Sequence, residues 1–338
     1  MKIAVLMGGM SGERNVSFTG GKAIYNALLR KGNEVIAVDP ALGVDCIIDI
    51  NSLDIKNEIP SEEELSKFHT KNYIDCINSN IFDDIDCVFN LVHGKWGEDG
   101  HLQALLELRG IPYTGSNIRS SALSMDKIQS KMIFSAGGIT TPLWTSIKIS
   151  QADDYELLAE IRKELGSKLV IKPYDQGSAL GLTIVYDGNL DDISNGIKKV
   201  ESTSNMALIE EYIPGREITV AVIDNKAYPI IEIKPHEGYY DYKNKYTKGQ
   251  TEYICPAEIS NDIEDFILNL AAGASQLLGC KDFCRVDFRL DPDGIPQCLE
   301  VNTIPGFTEL SLLPMAAKAG GVEFDELCQL LIDLALKK

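Results

Sequence analysis

The residues best suited to chemistry lie on two predicted strands near the end of the chain. The segment DFCRVDFRLDPDGIPQCLEVNTIPG (282–306) has the pattern of two strands joined by a DPDG turn. In antiparallel strands joined by a two- or four-residue loop, an odd-numbered residue lies opposite an even-numbered one. Arg285 and Asp287 are therefore predicted to share a face with Glu300 and Asn302.

That face would carry two carboxylates, an amide oxygen and a guanidinium group. Hard oxygen ligands from Asp287, Glu300 and Asn302 suit Mg²⁺ that is shared with substrate phosphates. Arg285 would then stabilise charge on a transferring phosphoryl group or on an oxyanion. The alternative is a solvated polar face with an ion pair between Asp287 and Arg285.

Two glycine-bearing loops are candidate phosphate or substrate sites. In KLVIKPYDQGSALGLTIVY (168–186), a strand that ends in Lys172, a glycine-bearing loop and a second strand predict a hairpin. Its loop would close over a triphosphate, and the alternative is a mobile linker. The loop GGMSGERNVSFTGG (8–21) follows a strand at 2–7 and precedes a helix and a strand at 35–38. Its glycine spacing does not match G-x-G-x-x-G, which disfavours a dinucleotide oxidoreductase, and a tight turn with positive φ is its structural alternative.

Polar residues also follow the strand that ends in HGKWGEDG (93–100). His93 is placed as a site residue would be, although a hydrogen-bonded structural histidine is the default interpretation without neighbouring motifs. Glu98 and Asp99 are expected to cap the helix that begins near His101, or to take part in the site.

The order strand, glycine loop, helix, strand predicts a doubly wound parallel sheet at the start of the chain. A helix from Ser120 to Ala136 carries Lys127 and Lys131, and the second domain is expected to begin near its end. Residues 50–86 are polar and weakly patterned, with one acidic helix near Glu62 to Phe68, and suggest no chemistry.

Length and composition limit the class of protein. The 338 residues predict two or three domains, and 44% hydrophobic with 24% charged residues is ordinary for a globular enzyme. A net charge of −18 argues against binding nucleic acid or an anionic membrane, so a phosphate ligand would need locally clustered cations. The first residues are too short an apolar run for a signal peptide, and the eight scattered cysteines read as reduced core residues, so a cytoplasmic location is expected.

Several of these segments together resemble a known family. The motifs GGMSGERNVSFTGG, HGKWGEDG, YTGS with SALSMDK, KPYDQGSALG, YDYKNKY, CRVDFRL and LEVNTIPGFTELSLLP occur in the order and approximate spacing typical of the D-alanine:D-alanine ligases, a branch of the ATP-grasp superfamily. They span residues 3 to 320 and leave mainly 45–85 outside. The resemblance implies an α/β protein, α+β in its C-terminal part, with an ATP-grasp fold and an N-terminal Rossmann-like parallel-sheet domain. The implied domains are 1–118 for substrate binding, 119–212 as the central ATP-grasp domain and 213–338 as the catalytic domain.

The resemblance also implies an activity and roles for single residues. The activity is ATP-dependent ligation of two D-alanines through an acyl phosphate, for peptidoglycan precursor synthesis, with ATP and two Mg²⁺ ions (or Mn²⁺) and a homodimeric enzyme. The implied catalytic residues are Glu13, Ser178, Tyr246, Arg285 and Gly306, and the implied substrate contacts are Val16, His93, Ser311 and Leu312. The implied nucleotide contacts are Lys127, Lys172, Glu210, Glu217 and Lys245, and the implied metal ligands are Asp287, Glu300 and Asn302.

The alternatives concern the second substrate and the class of protein. Ala179 stands where a second serine is common in the family, which leaves lid contacts open, and D-serine or D-lactate could replace the second D-alanine. Tyr246 favours the dipeptide over the ester. Another ATP-grasp carboxylate–amine ligase is a further alternative, whereas a degenerate ATP-binding protein would be expected to lack a metal ligand or Arg285, and this chain has them all.

Overall fold

The computed structural model describes residues 1–56, 58–236, 238 and 249–338. Within these ranges, no helix combines the length and the apolar character needed to cross a membrane. The predicted residues Lys245 and Tyr246 lie outside the described residues.

The chain begins with the predicted parallel sheet. Strands β1 (Lys2–Leu6), β2 (Glu34–Val38) and β3 (Cys87–Asn90) are arranged in the order β2-β1-β3, and both pairs are parallel. Helix α1 (Arg14–Arg30) connects β1 to β2 and buries one face, including Ile24 and Leu28, against the sheet. This part of the sequence prediction is confirmed, and it places the first glycine loop at the carboxyl end of β1.

The excursion between β2 and β3 is mostly short helices. The acidic helix predicted near Glu62 is present as α2 (Glu62–Leu65), and Ser61 begins it with a capping box to Glu64. Helix α3 (Lys71–Ile77) completes this region, and helix α4 (His101–Arg109) follows β3.

The prediction of a single helix from Ser120 to Ala136 was wrong. Two helices, α5 (Ile118–Met125) and α6 (Lys127–Ala136), meet at Asp126, whose backbone is extended (φ −81°, ψ 98°). The Asp126 side chain accepts hydrogen bonds at 3.0 Å from the backbone N–H groups of Ile128 and Gln129, so it caps α6. The break makes Lys127 the first residue of a new helix.

A four-stranded antiparallel sheet follows, with the order β4-β7-β5-β6. Its strands are β4 (Trp144–Lys148), β5 (Leu169–Pro173), β6 (Thr183–Val185) and β7 (Met206–Glu211), and helices α7 (Tyr155–Leu165) and α8 (Leu190–Val200) pack against it. The pairing of β5 with β6 confirms the predicted hairpin and places residues 174–182 at its tip.

A second antiparallel sheet has the order β11-β10-β8-β12-β13, and β9 pairs with β8. Its strands are β8 (Arg216–Ile223), β9 (Lys226–Ala227), β10 (Ile231–Pro235), β11 (Thr251–Ile254), β12 (Phe283–Leu290) and β13 (Pro296–Asn302). Helices α9 (Asn261–Leu278), α10 (Leu312–Ala319) and α11 (Phe324–Ala335) complete the chain. The division into domains at 118 and 212 stays a prediction.

The hairpin of β12 and β13 has the predicted pairing of side chains, but the length of its loop is not the cause. Leu290 pairs with Pro296, so five residues form the loop rather than four. A β-bulge between Asp287 and Phe288 supplies the compensating shift, and Arg285 pairs with Asn302 while Asp287 pairs with Glu300. Without the bulge, the odd loop length would have placed Glu300 and Asn302 on the opposite face.

Aromatic rings join the N-terminal sheet to the C-terminal region. The Phe307 ring, 1% exposed, lies 5.5 Å from the Phe89 ring and 5.8 Å from the Phe283 ring, measured between centroids. The interplanar angles of 69° and 68° are edge-to-face arrangements, which aromatic quadrupoles favour. This cluster holds the segment after β13 against β3.

Replacing Phe307 with alanine tests the contribution of that cluster to stability. We expect Phe307→Ala to destabilise the fold by about 3–5 kcal/mol, because it removes a buried ring and leaves a cavity between two sheets. Leu108→Ala is the control, since Leu108 is 87% exposed and its loss should change stability by less than about 0.5 kcal/mol. Equal thermal unfolding midpoints for the two variants would contradict the assigned role.

Candidate active site

A cavity of about 570 Å³ opens between the two antiparallel sheets. Its walls come from β5, β7, β8, β10, β12 and β13, and from the hairpin tip between β5 and β6. The apolar lining includes Val170, Ile184 and Leu299, whereas the charged lining includes Lys127 and Lys172. An apolar slot that continues into a cationic region suits a ligand with a flat apolar part and a phosphate chain.

Two lysines that line the cavity, and a third behind its wall, pair with two carboxylates. Lys172 Nζ lies 2.6 Å from Glu210 Oε2, and Lys131 Nζ lies 2.5 Å from Glu210 Oε1. Lys127 Nζ lies 3.1 Å from Glu300 Oε2 and donates to the Gln176 carbonyl at 2.7 Å. Lys127 and Lys172 line the cavity and supply the local cations that an acidic chain needs for a phosphate ligand.

Burial would by itself raise the pKa of Glu210, but the two lysines lower it below its ordinary value. The pKa of Lys172 is raised despite burial, because Glu210 and Glu300 favour the charged form. The ion pair thus favours the charged form of both groups.

The metal-ligand residues predicted from β12 and β13 lie together. Arg285 donates from Nε to Asp287 Oδ1 at 2.8 Å and from Nη2 to Oδ2 at 2.7 Å, a bidentate pair. Asn302 donates to Asp287 Oδ2 at 2.9 Å, and the Thr219 hydroxyl donates to Oδ1 at 2.6 Å. The ion pair named as the alternative is thus present, and it lies in the same place as the predicted site because Asp287 and Glu300 also line the cavity.

The predicted pair of Glu13 and Ser178 is formed across two loops. The Ser178 hydroxyl donates to Glu13 Oε1, which joins the hairpin tip to the residue that precedes α1. Ser178 and Ala179 have positive φ values of 50° and 56°, an uncommon conformation for residues other than glycine. The tip is therefore held by side-chain contacts rather than by backbone preference.

The first glycine loop needs its glycines for conformation and for space. Gly9 has φ 82°, and a Cβ there would lie 2.5 Å from Val92 Cγ1. Asp39 anchors the loop by accepting from the Gly9 N–H at 3.1 Å, and it forms a buried ion pair with Arg14. The tight-turn interpretation is confirmed, and the turn leads directly to Glu13, so the site interpretation stays a prediction that is compatible with it.

His93 is buried near Glu13. Its Nδ1 is 2.9 Å from the Ile304 carbonyl oxygen and therefore donates to it, which leaves Nε2 with no hydrogen-bond partner among the described residues. Burial alone would lower the pKa of His93, but the Glu98 and Glu13 carboxylates raise it overall. Burial also raises the pKa of Glu98, whose Oε2 is 3.9 Å from His93 Nδ1.

A smaller cavity connects the two groups of residues. It is lined by Glu98 from the His93 side and by Asn302 from the metal-ligand side. Lys127, Gly177 and Glu300 line both cavities. The pair of Glu13 and Ser178 therefore lies next to the charged end of the large cavity.

Comparison with known proteins identifies the family of the chain. Residues 2–116 match the family described as D-ala D-ala ligase N-terminus, and residues 133–333 match D-ala D-ala ligase C-terminus. A D-alanine–D-alanine ligase from Moorella thermoacetica is 40% identical over 344 residues, which cover 100% of both chains. The chain belongs to the D-alanine–D-alanine ligase family.

Solved structures of ligases have the same fold. A D-alanine–D-alanine ligase from Bacillus anthracis complexed with ATP has a TM-score of 0.76 and 31% identity, covering 100% of this chain and 98% of that one. A D-Ala:D-Ser ligase from Enterococcus faecalis has a TM-score of 0.76 and 29% identity, covering 99% of each chain. The predicted ATP-grasp fold class is thereby confirmed.

The remaining residues implied by the family resemblance lie around the same region. Ser311 precedes α10, and its hydroxyl accepts from the Thr308 N–H at 2.9 Å, while Leu312 is buried in the first turn. A Cβ on Gly306 would lie 3.5 Å from Ser311 Oγ, so these two residues are neighbours. Val16 is half-buried in the first turn of α1, and Glu217 lines the large cavity with Arg289 Nη1 3.5 Å from its carboxylate.

Glu98 lines the smaller cavity, which is one of the two roles predicted for it, whereas Asp99 accepts backbone N–H groups from Trp96 at 2.8 Å and His101 at 3.3 Å. Sequence reasoning missed two side chains at this site. Thr219 was missed because its contact depends on the pairing of β8 with β12. Lys131 was noticed on its helix without a role, although its spacing of four residues from Lys127 was the available signal.

Gly177 offers a test of the contact between the hairpin tip and Glu13. An alanine Cβ at Gly177 would lie 2.9 Å from Glu13 Oε2, so the carboxylate must move. We expect Gly177→Ala to lower turnover by about ten- to a hundredfold, because the displaced Glu13 carboxylate is no longer aligned with the substrate. The unfolding midpoint should not change, because the flexible Glu13 side chain can move without disturbing the fold.

The matched control is Gly273→Ala in helix α9. A Cβ there would meet only Ile139 Cδ1, at 3.4 Å, so turnover should be unaffected and helix propensity should add about 0.5–1 kcal/mol of stability. If Gly177→Ala and Gly273→Ala turned over equally, the alignment of Glu13 by the hairpin tip would not matter to the reaction.

Proposed function

We propose that this protein joins two D-alanines into D-alanyl-D-alanine with ATP as the phosphoryl donor, for the synthesis of peptidoglycan precursors. The observation that carries the proposal is the large cavity, whose apolar slot leads to lysines and whose charged end adjoins Arg285, Asp287, Glu300 and the pair of Glu13 and Ser178. Family membership and the ATP complex of the Bacillus anthracis ligase support the choice of ATP and D-alanine.

In this proposal the nucleotide lies between the two antiparallel sheets. The base occupies the apolar slot, with Glu210 at its edge and Glu217 at the ribose, while Lys127 and Lys172 bind the phosphates. We also assign Lys245 to the phosphates from the family resemblance. Cations on the phosphate oxygens stabilise the charge that spreads over them during transfer.

Asp287, Glu300 and Asn302 fit two magnesium ions by the chemistry of their donors, two carboxylates and an amide oxygen, with Mn²⁺ as a substitute. The described residues hold no group of three or more His, Cys, Asp or Glu side chains arranged around one point, so phosphate oxygens and water would complete the coordination. When bound, the ions would neutralise charge on the phosphate oxygens during transfer.

The first step converts a poor acyl donor into a good one. A carboxylate oxygen of the first D-alanine attacks the γ-phosphorus, the bond to the bridging oxygen of ADP breaks, and an acyl phosphate forms. Glu13 binds the ammonium group of this D-alanine, and Val16 and His93 contact it in our assignment. Ser178, together with Tyr246 by the family resemblance, is assigned to keeping water from the acyl phosphate.

The second step forms the peptide bond. The free amine of the second D-alanine attacks the carbonyl carbon, the amine loses a proton, and the carbon–oxygen bond to phosphate breaks. Ser311 and Leu312 receive the carboxylate of this substrate at the start of α10, where free backbone N–H groups favour an anion. Arg285 and the Gly306 N–H stabilise the oxyanion of the tetrahedral intermediate.

Oxygen labelling tests the acyl phosphate. D-alanine carrying ¹⁸O in its carboxylate should transfer one ¹⁸O to inorganic phosphate for each dipeptide formed, which mass spectrometry measures. Phosphate without ¹⁸O would contradict carboxylate activation and therefore the mechanism.

D-serine as the second substrate is the competing proposal, because the Enterococcus faecalis D-Ala:D-Ser ligase has the same fold. We favour D-alanine because the residues near the second-substrate position, Leu312 and Leu313, are apolar and buried. The homodimer, the cytoplasmic location and the domain boundaries stay predictions.

A further inference from the structure

Lys131 is a buried cation behind the wall of the large cavity. Its side chain is 0% exposed, and it does not appear among the residues that line the cavity. Its Nζ lies 2.5 Å from Glu210 Oε1 and donates to the Thr141 hydroxyl at 2.6 Å. The proposed reaction gives this residue no role, so its buried charge needs another explanation.

A fully buried ammonium group is costly to the fold. Removing it from water costs several kcal/mol, and a single neutral acceptor such as Thr141 does not compensate for that cost. Glu210 already has a cationic partner in Lys172, 2.6 Å from its other oxygen. Lys131 is therefore a second cation on one carboxylate, which is more than charge balance requires.

The effect of this second cation falls on Glu210. With a lysine on each oxygen, the carboxylate is fixed in orientation and stays ionised, in agreement with its lowered pKa. An ionised carboxylate only accepts hydrogen bonds, and each of its oxygens has lone pairs that the lysines leave available.

Glu210 also borders the apolar slot of the cavity. Strand register places it opposite Val170 of β5, and Val170 lies opposite Ile184 of β6. Cross-strand partners share a face of the sheet, and all three residues line the cavity. A planar ring packed on Val170 and Ile184 would have an edge directed at the Glu210 carboxylate.

We propose that Lys131 is a positioning residue that makes the nucleotide site selective for a 6-aminopurine by holding Glu210 as a fixed hydrogen-bond acceptor. This inference rests on the proposed nucleotide site and extends it to the choice of base. The amino group at position 6 of adenine donates to such an acceptor. Guanine and hypoxanthine carry an oxygen at that position, which would meet the carboxylate with like partial charge.

ATP and ITP form the sharpest pair of probes, because their rings differ by an amino group or an oxygen at position 6 and the accompanying proton on N1. We would measure Kd for both by calorimetry on the full chain with Mg²⁺, and kcat and KM for both with D-alanine. In Lys131→Met the preference for ATP over ITP should fall about tenfold, because Glu210 loses a cation that fixes it. Turnover at saturating ATP should change by less than about threefold, since Lys131 lies behind the cavity wall.

A merely structural role for Lys131 gives a different result. It would weaken both nucleotides equally, so an unchanged ratio of the two Kd values in folded Lys131→Met would overturn the proposal. Lys318→Met is the control: Lys318 also pairs with a glutamate, Glu323 at 3.3 Å, but both side chains are 68% exposed. That variant should retain the wild-type ratio.

A gentler variant covers the case in which Lys131→Met does not fold. Thr141→Val keeps the shape of the side chain and removes the hydroxyl that accepts from Lys131, and should reduce the preference for ATP by about threefold. An unchanged ratio in this variant would also overturn the proposal. If the wild-type chain bound neither nucleotide, the proposed nucleotide site would be wrong and this inference would fall with it.

Discussion

Glu300→Gln is expected to lower turnover by at least about a thousandfold while the protein stays folded. Glutamine has the size of glutamate but no charge, so the variant removes a metal-binding carboxylate at the charged end of the cavity. It also removes the partner of Lys127 Nζ, which lies 3.1 Å from Glu300 Oε2. Steady-state ADP release and the unfolding midpoint measure the two parts of this expectation.

Glu323→Gln is the matched control for that variant. Glu323 also pairs with a lysine, at 3.3 Å, but on the exposed surface, so turnover should not change. A folded Glu300→Gln protein with the turnover of this control would show that Glu300 does not take part in the reaction.

Arg285→Ala is expected to lower turnover by about a hundred- to a thousandfold. The variant removes the guanidinium proposed to stabilise the oxyanion, and it removes two of the donors that hold Asp287. Arg285→Lys should recover only a small part of the activity, because a lysine does not reproduce the bidentate geometry. Turnover and KM for both substrates measure the effect.

A surface arginine provides the control for this second variant. Arg30 also forms a bidentate pair, with Asp325 at 2.7 and 2.6 Å, far from the cavity and partly exposed. Arg30→Ala should retain wild-type turnover. Equal activity of folded Arg285→Ala and Arg30→Ala would remove Arg285 from the mechanism.

The parts of the fold that the sequence predicted are those with strong local patterns. Apolar runs bounded by glycine predicted β1, β2 and the hairpin of β5 and β6, because strand burial and turn chemistry are local properties. The order of the motifs along the chain identified the family. These signals need no knowledge of which strands pair.

Except for the helix break at Asp126, the parts that the sequence did not predict depend on contacts between distant segments. The bulge at Asp287 and Phe288 has no local signature, yet it places Glu300 and Asn302 on the correct face. Lys131 and Thr219 have their partners 79 and 68 residues away along the chain, at Glu210 and Asp287. The break at Asp126 was readable as an N-cap, but the helical pattern on both sides concealed it.

The most direct test of the central claim is phosphate release from ATP and Mg²⁺ with D-alanine at neutral pH, repeated with D-alanine plus D-serine or D-lactate, with the products identified by mass. We predict release that depends on D-alanine and yields D-alanyl-D-alanine as the main product in every mixture. No release with D-alanine alone, together with turnover in a mixture that contains D-serine or D-lactate, would contradict the proposed substrate; no release under any of these conditions would contradict the proposed activity.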